Sequence, residues 1–399
     1  MNPLKDSGLP LFFKVANPEE LSITPPEVRQ GDSLRTMVRS LSHMQKEALV
    51  YSNRTGQTWR LASDEGAYLD GMDEAPCPLC FLTTGMVSAT MNEILALAEQ
   101  RNITINKIRL IQDNRYTMKG SMLRGTMIGG AKDIDIEAQI DADADTRTIQ
   151  ALVEDAVKMS PLNGLIKDTL ASLFTLSHNG KELETTESKP LNKPLITAPD
   201  KHFSQAKPVS STLGPLVINT GIMTPKAPHT TGMASSSLQE QQDRLLHLRG
   251  ICTVREDGVK AIEQQLFNPH GSIFKLLSEE APEKGGQGRA PDAASYISAG
   301  IAFCFMTQFG RAAAIFKKEL DSYQIVQDTF FSLAGASDKT GLPGQADEVE
   351  THCYLKSPFD DQYAQHILGM SEQTCFLHAF CRTDLSTQVS VSAYPLEDA

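Results

Sequence analysis

The feature that most restricts this chain is a match between two of its own segments. The stretch APCPLCFLTTGMVSATMNEILALAEQRNITINKIRLIQD (75–113) aligns without a gap on APDAASYISAGIAFCFMTQFGRAAAIFKKELDSYQIVQD (290–328), an offset of 215 residues. The same offset joins WRLASDE (59–65) to FKLLSEE (274–280) and IDIEAQI (134–140) to VETHCYL (349–355). A self-match of this length means one supersecondary unit used twice. It predicts two homologous domains, 32–180 and 246–394, separated by a Pro/Ser/Thr-rich linker at 181–245 whose apolar patch LVINTGIM can add a strand.

Each copy reads as strands, a long apolar helix, more strands and a second helix. NKIRLIQDNRYTM and SYQIVQDTFFSL carry the β-branched and aromatic residues of strands. Residues 296–319 are apolar on nearly every side, as a central, fully covered helix requires. The fold class expected is α+β, two tandem domains, each an antiparallel-rich sheet with a long buried helix. One sheet covers one face of such a helix, and a related partner is the simplest cover for the other. The long helices, about 78–101 and 293–319, should therefore touch in an intrachain pseudo-dimer, an arrangement that leaves room for higher oligomers.

With 399 residues, 40% hydrophobic and 22% charged, the chain has the composition of a globular protein. No uninterrupted apolar run reaches spanning length, and MNPLKDSGLPLFF has too little apolar sequence for a leader, so the chain is read as cytoplasmic with no membrane partner. A net charge of −12 without a basic stripe argues against nucleic acid. Seven cysteines, at 77, 80, 252, 304, 353, 375 and 381, are an odd set in so large a chain and speak for free or redox-active thiols over a disulfide framework.

Cys304 and Cys375 stand out because the first copy lacks both: the corresponding positions are Ala89 and Ser160. Paired presence and paired absence suit a two-thiol device. Gly300, one turn before Cys304 on the same helix face, leaves the space beside the sulfur without a side chain, room for a substrate or a second thiol. Ser160-Pro161 has the form of a helix start, which puts Cys375 where a helix dipole favours a thiolate. CPLC (77–80) opens the first long helix as a second candidate redox pair, although no thioredoxin-like context accompanies it. Cys375, His378 and Cys381 drift around a helix and match no closed zinc motif, and DADAD (141–145) lacks the glycine and glutamate of a calcium loop, so neither metal nor cofactor is called for.

The stretch SEEAPEKGGQGRAPDAASYISAGIAFCF, followed by a cysteine at the start of the last helix, resembles the OsmC/Ohr family. The resemblance rests on the acidic strand end Ser278-Glu279-Glu280, the Gly285-Gly286 loop, Ala290-Pro291, Gly300, Cys304 and Cys375, and it covers both copies. It implies swapped α/β dimers around two long helices. It also implies that Cys304 attacks an organic hydroperoxide as the peroxidatic thiol and that Cys375 resolves the product to a disulfide, which an external thiol then reduces. Family members place a glutamate shortly before the first cysteine and an arginine on an early strand. Here the residues before Cys304 are Ala293, Ala294 and Ser295, with Asp292 the nearest carboxylate, and Lys275, Arg289 and Arg255 are the cations in range. The candidate site is therefore Cys304 and Cys375, with Gly300, Asp292 and Lys275 in support and Cys77 and Cys80 as a second pair. The expected partners are a small hydroperoxide and a thiol reductant. The alternative is a non-enzymatic protein of the same fold that binds a ligand or senses oxidation.

Overall fold

A computed structural model describes residues 2–395, apart from 30, 43, 168 and 226–236; the last stretch takes in part of the expected linker. The first segment runs β1 (Gly31–Ser40), β2 (Lys46–Ser52), β3 (Thr58–Ser63), α1 (Pro78–Gln100), β4 (Ile105–Ser121), β5 (Ile134–Ala142), α2 (Thr146–Met159) and β6 (Ser172–His178). The second runs β7 (Gln241–Val254), β8 (Lys260–Asn268), β9 (Ser272–Ser278), α3 (Ala293–Phe316), β10 (Ser322–Ser332), β11 (Val349–Lys356), α4 (Asp361–Thr374), α5 (Phe376–Arg382) and β12 (Thr387–Ala393). The architecture is α+β.

Neither segment keeps its strands to itself. One sheet runs β3-β2-β1-β10-β11-β6 and the other β9-β8-β7-β4-β5-β12, with short strands at Phe13–Lys14, Lys181–Leu183 and Val217–Met223 on the outer edges and Ile128–Ala131 on β4. The patch LVINTGIM thus supplies an edge strand. The junctions are antiparallel: β10 on β1, and β4 on β7 over thirteen paired residues from Gln241–Ser121 to Thr253–Arg109. Each junction carries an arginine–aspartate pair. Arg35 grips Asp328 through Nε and Nη2 at 2.8 and 2.6 Å, and Arg249 grips Asp113 at 3.0 and 2.8 Å, with His247 Nε2 a further 2.7 Å contact.

Burial alone would raise the Asp113 carboxyl, but His247 and Arg249 outweigh it and hold the group at about 2. Because the folded value lies below the unfolded one near 3.8, the stabilisation is complete above that value and is lost as pH falls through about 2. At neutral pH it is about 2 kcal/mol. Asp113→Asn is expected to lower the urea midpoint at pH 7, with the gap from wild type closing between about pH 4 and 2. A gap independent of pH would refute this assignment.

The two sheets enclose α1 and α3, which pack on each other and each on one sheet. Residues 78–91 of α1 and 293–309 of α3 are buried without interruption. Both helices are long and apolar enough to cross a membrane, which corrects the expectation that no apolar run reaches that length, because their mean hydropathy stays high despite interspersed Ser, Thr and Gly. Here they are covered by protein. Such close approach requires glycine at the crossing. A Cβ on Gly85 would fall 2.5 Å from the Ala293 carbonyl oxygen, and one on Gly300 would fall 2.9 Å from the Leu82 nitrogen. The space expected beside Gly300 is therefore filled by the backbone of α1 and is no substrate channel.

Candidate thiol site

On α3, Cys304, Thr307, Gln308 and Arg311 recur at helical spacing and face one narrow cleft of about 30 Å³. That is room for about two water-sized atoms. The rim comes from the other segment and from β7: Glu65 and Tyr68 just past β3, Cys77 and Leu79 at the start of α1, and Arg244 on β7. Leu246, Leu266 and Phe376 make the remaining wall apolar.

Cys375 sits between α4 and α5, the position its sequence spacing predicts. It lies close enough to Cys304 to act on its thiol, as does the backbone of Leu377 in the first turn of α5. Burial, then the Cys375 contact, push the Cys304 thiol well above the ordinary range; the Leu377 N–H opposes them. Gln308 Oε1 accepts from Thr374 Oγ1 and from Arg311 Nη1, both at 3.2 Å, tying the residue before Cys375 to α3.

Glu65 is buried and accepts from Tyr68 Oη at 2.8 Å and Thr307 Oγ1 at 3.1 Å. Burial raises its carboxyl, and Lys46 pulls it back. Lys46, also buried, is lowered by desolvation and faces Glu65, Asp64, Cys304 and Cys77. Arg311 is 1% exposed yet has no carboxylate partner among the described residues: Nε donates to the Ser237 carbonyl at 2.8 Å and Nη2 meets the Met127 sulfur. Burial lowers Arg311 to about 9, with Arg244 as the second cause, and burial lowers Arg244 to about 10. Both stay charged at neutral pH, so the cleft holds two guanidinium groups facing a cysteine.

Cys304 and Cys375 are thus brought together; Asp292 and Lys275 are not part of their site. Asp292 caps α3, accepting from the Ser295 N–H at 2.7 Å, three turns before Cys304. There burial, then Glu280, raise its carboxyl to about 7. Lys275 is exposed on β9, Arg289 is held by Glu279 at 2.7 Å, and Arg255 pairs with Asp257. The carboxylate that lines the cleft is Glu65, from the other segment, and the cations that line it are Arg244 and Arg311. His378, flanked by Phe174 and Phe305, is lowered to about 3 by burial, and among the described residues no three His, Cys, Asp or Glu gather as metal ligands.

Two larger grooves hold no cysteine. One of about 620 Å³ runs between Phe12, Trp59 and Leu216. The other, about 570 Å³, surrounds Ala89, the counterpart of Cys304; there Asn92 Nδ2 donates to Glu280 Oε1 at 2.9 Å, much as Thr307 does to Glu65.

No family model and no curated protein matches the chain. Among solved structures it is similar to an OsmC-like hydroperoxide resistance protein from Jannaschia sp. CCS1, at 20% identity over 39% of this chain and 99% of that one, with a TM-score of 0.24. A likeness of that size decides neither topology nor chemistry, which rest on the contacts above.

Proposed function

We propose that the chain is an OsmC-like pseudo-dimer of two related halves that reduces organic hydroperoxides with electrons from an external thiol. The observation that supports this most is Cys304, with Cys375 beside it, on a cleft lined by Arg244 and Arg311, neither of which has a carboxylate partner within salt-bridge distance among the described residues. The Cys304 thiolate attacks the outer peroxide oxygen, the O–O bond breaks, and the alkoxide leaves with a proton as the alcohol. Cys375 then attacks the sulfenic sulfur, water departs and a disulfide remains for the thiol reductant. Arg244 and Arg311 stabilise the charge that develops on the leaving oxygen and Glu65 holds the peroxide hydroxyl; the narrow cleft takes the two peroxide oxygens, and the organic part stays at its mouth.

The deep burial of Cys304 and its raised thiol favour a second reading, a sensor oxidised once and slowly. Hydroperoxide consumption in excess dithiol separates the two: many equivalents per chain support the enzyme, and a plateau at one or two refutes it. Arg311→Met supplies a finer test. Removing a buried charge that lacks a carboxylate is expected to leave the urea midpoint unchanged or raised, while turnover falls on the order of 10²-fold. Unchanged turnover would remove Arg311 from the mechanism.

A further inference from the structure

We propose that Cys77 and Cys80 form an internal dithiol that takes the oxidation off Cys304 and Cys375, so that the external reductant meets Cys77. The inference rests on the thiol chemistry assigned to Cys304 above. Four observations carry it.

The Cys77 and Cys80 sulfurs are 3.6 Å apart at the first turn of the 23-residue helix α1. Cys77 and Cys304 line the same cleft. The helix crossing explains why. Gly85 of α1 meets Ala293 and Ile297 on α3, whereas Gly300 meets Pro78, Phe81 and Leu82, so the helices run antiparallel. One further turn along α3 from Gly300 brings Cys304 level with the start of α1, where Cys77 lies. The buried Lys46 side chain, which donates to the Met44 carbonyl, lies near enough to interact electrostatically with both sulfurs.

The third observation is access. Cys304 and Cys375 are 2% and 0% exposed, and Cys77, at 8%, is the most open of the four. A dithiol of any size approaching from solvent reaches Cys77 first. The fourth comes from the repeat. The counterparts of Cys77, Cys80, Cys304 and Cys375 at the 215-residue offset are Asp292, Ser295, Ala89 and Ser160. Cys77 and Cys304 line one cleft, with Cys80 beside the first and Cys375 beside the second, and the corresponding groove around Ala89 has none of the four.

The exchange balances without an added reagent. The Cys77 thiolate attacks the Cys304 sulfur, an S–S bond forms between them, and Cys375 leaves as a thiolate and takes a proton. The Cys80 thiolate next attacks Cys77, forming the Cys77–Cys80 disulfide and releasing Cys304 as a thiolate. Two electrons and two protons have moved from one dithiol to the other, and an external dithiol restores Cys77 and Cys80.

The test uses the full chain oxidised by diamide, which acts on dithiols without peroxidase chemistry, in parallel with an organic hydroperoxide. Free thiols are blocked and disulfides mapped by mass spectrometry over time. In wild type the Cys304–Cys375 link is expected to give way to Cys77–Cys80, with two disulfides per chain at saturation. In Cys80→Ser, a Cys77–Cys304 cross-link is expected to accumulate. Cys77 remaining a free thiol in both diamide-treated proteins overturns the relay, whatever the hydroperoxide does. Failure of the hydroperoxide alone to oxidise Cys304, with the exchange intact under diamide, overturns the peroxidase reading and leaves the relay standing.

Discussion

Gly85→Ala is expected to destabilise the protein by about 2–3 kcal/mol, although alanine is the better helix former by up to about 1 kcal/mol. The added methyl would lie 2.5 Å from both the Ala293 carbonyl oxygen and Ile297 Cγ1, and 3.1 Å from the Ile297 nitrogen. A side chain can rotate away; a backbone carbonyl in a helix covered on all sides cannot. Relief would come only from moving α1 off α3, which opens the packing of both sheets, since each helix rests on one of them. Urea denaturation followed by far-UV circular dichroism reads the loss directly. A midpoint equal to wild type would mean that the helices do not cross at Gly85. The same shift should loosen the cleft, because Cys77 and Cys304 meet only through this crossing.

Cys304→Ser is expected to abolish hydroperoxide turnover, a loss of about 10³-fold or more, while leaving the urea midpoint within about 1 kcal/mol of wild type. A serine hydroxyl fits the space of the thiol, but at neutral pH it is not ionised and is too weak a nucleophile to attack the peroxide oxygen. Cys375→Ser should differ in kind: Cys304 still reacts, and its sulfenic acid accumulates where a dimedone-type probe can label it. In the wild type, the raised Cys304 thiol makes single-turnover oxidation climb about tenfold per pH unit from about pH 7 to 9, since the thiolate fraction grows at that rate below the pKa. A flat profile would show that the proton is already gone before attack.

Much of the architecture is legible from the 215-residue offset, because apolar coverage on all sides of 78–91 and 293–309 demands a partner for each helix. Strand exchange is not, since a gap-free alignment gives no sign of whether β4 pairs with its own copy or with β7. That exchange also hid the functional partners of Cys304. Glu65 stands at the end of WRLASDE, aligned with the acidic end of FKLLSEE, in the copy that lacks the cysteine pair. Arg244 lies two residues before the edge assigned to the second domain, and Arg311 lies two turns beyond Cys304 on the same face. An arginine in an apolar helix ordinarily reads as one whose head reaches solvent; only the tertiary structure shows it buried against Met127. The glycine of GIAFC suggests open space from sequence alone, and its bareness serves the approach of α1 instead.

The most direct test of the Cys304–Cys375 pair is a single-turnover experiment on the full chain. Fully reduced protein is mixed with one equivalent of an organic hydroperoxide, quenched within seconds by acid and alkylation, and digested for disulfide mapping. The expected result is a peptide joining Cys304 to Cys375 as the earliest disulfide, formed as one equivalent of alcohol appears. Recovery of Cys304 as an alkylated free thiol after the peroxide has been consumed would contradict the assignment.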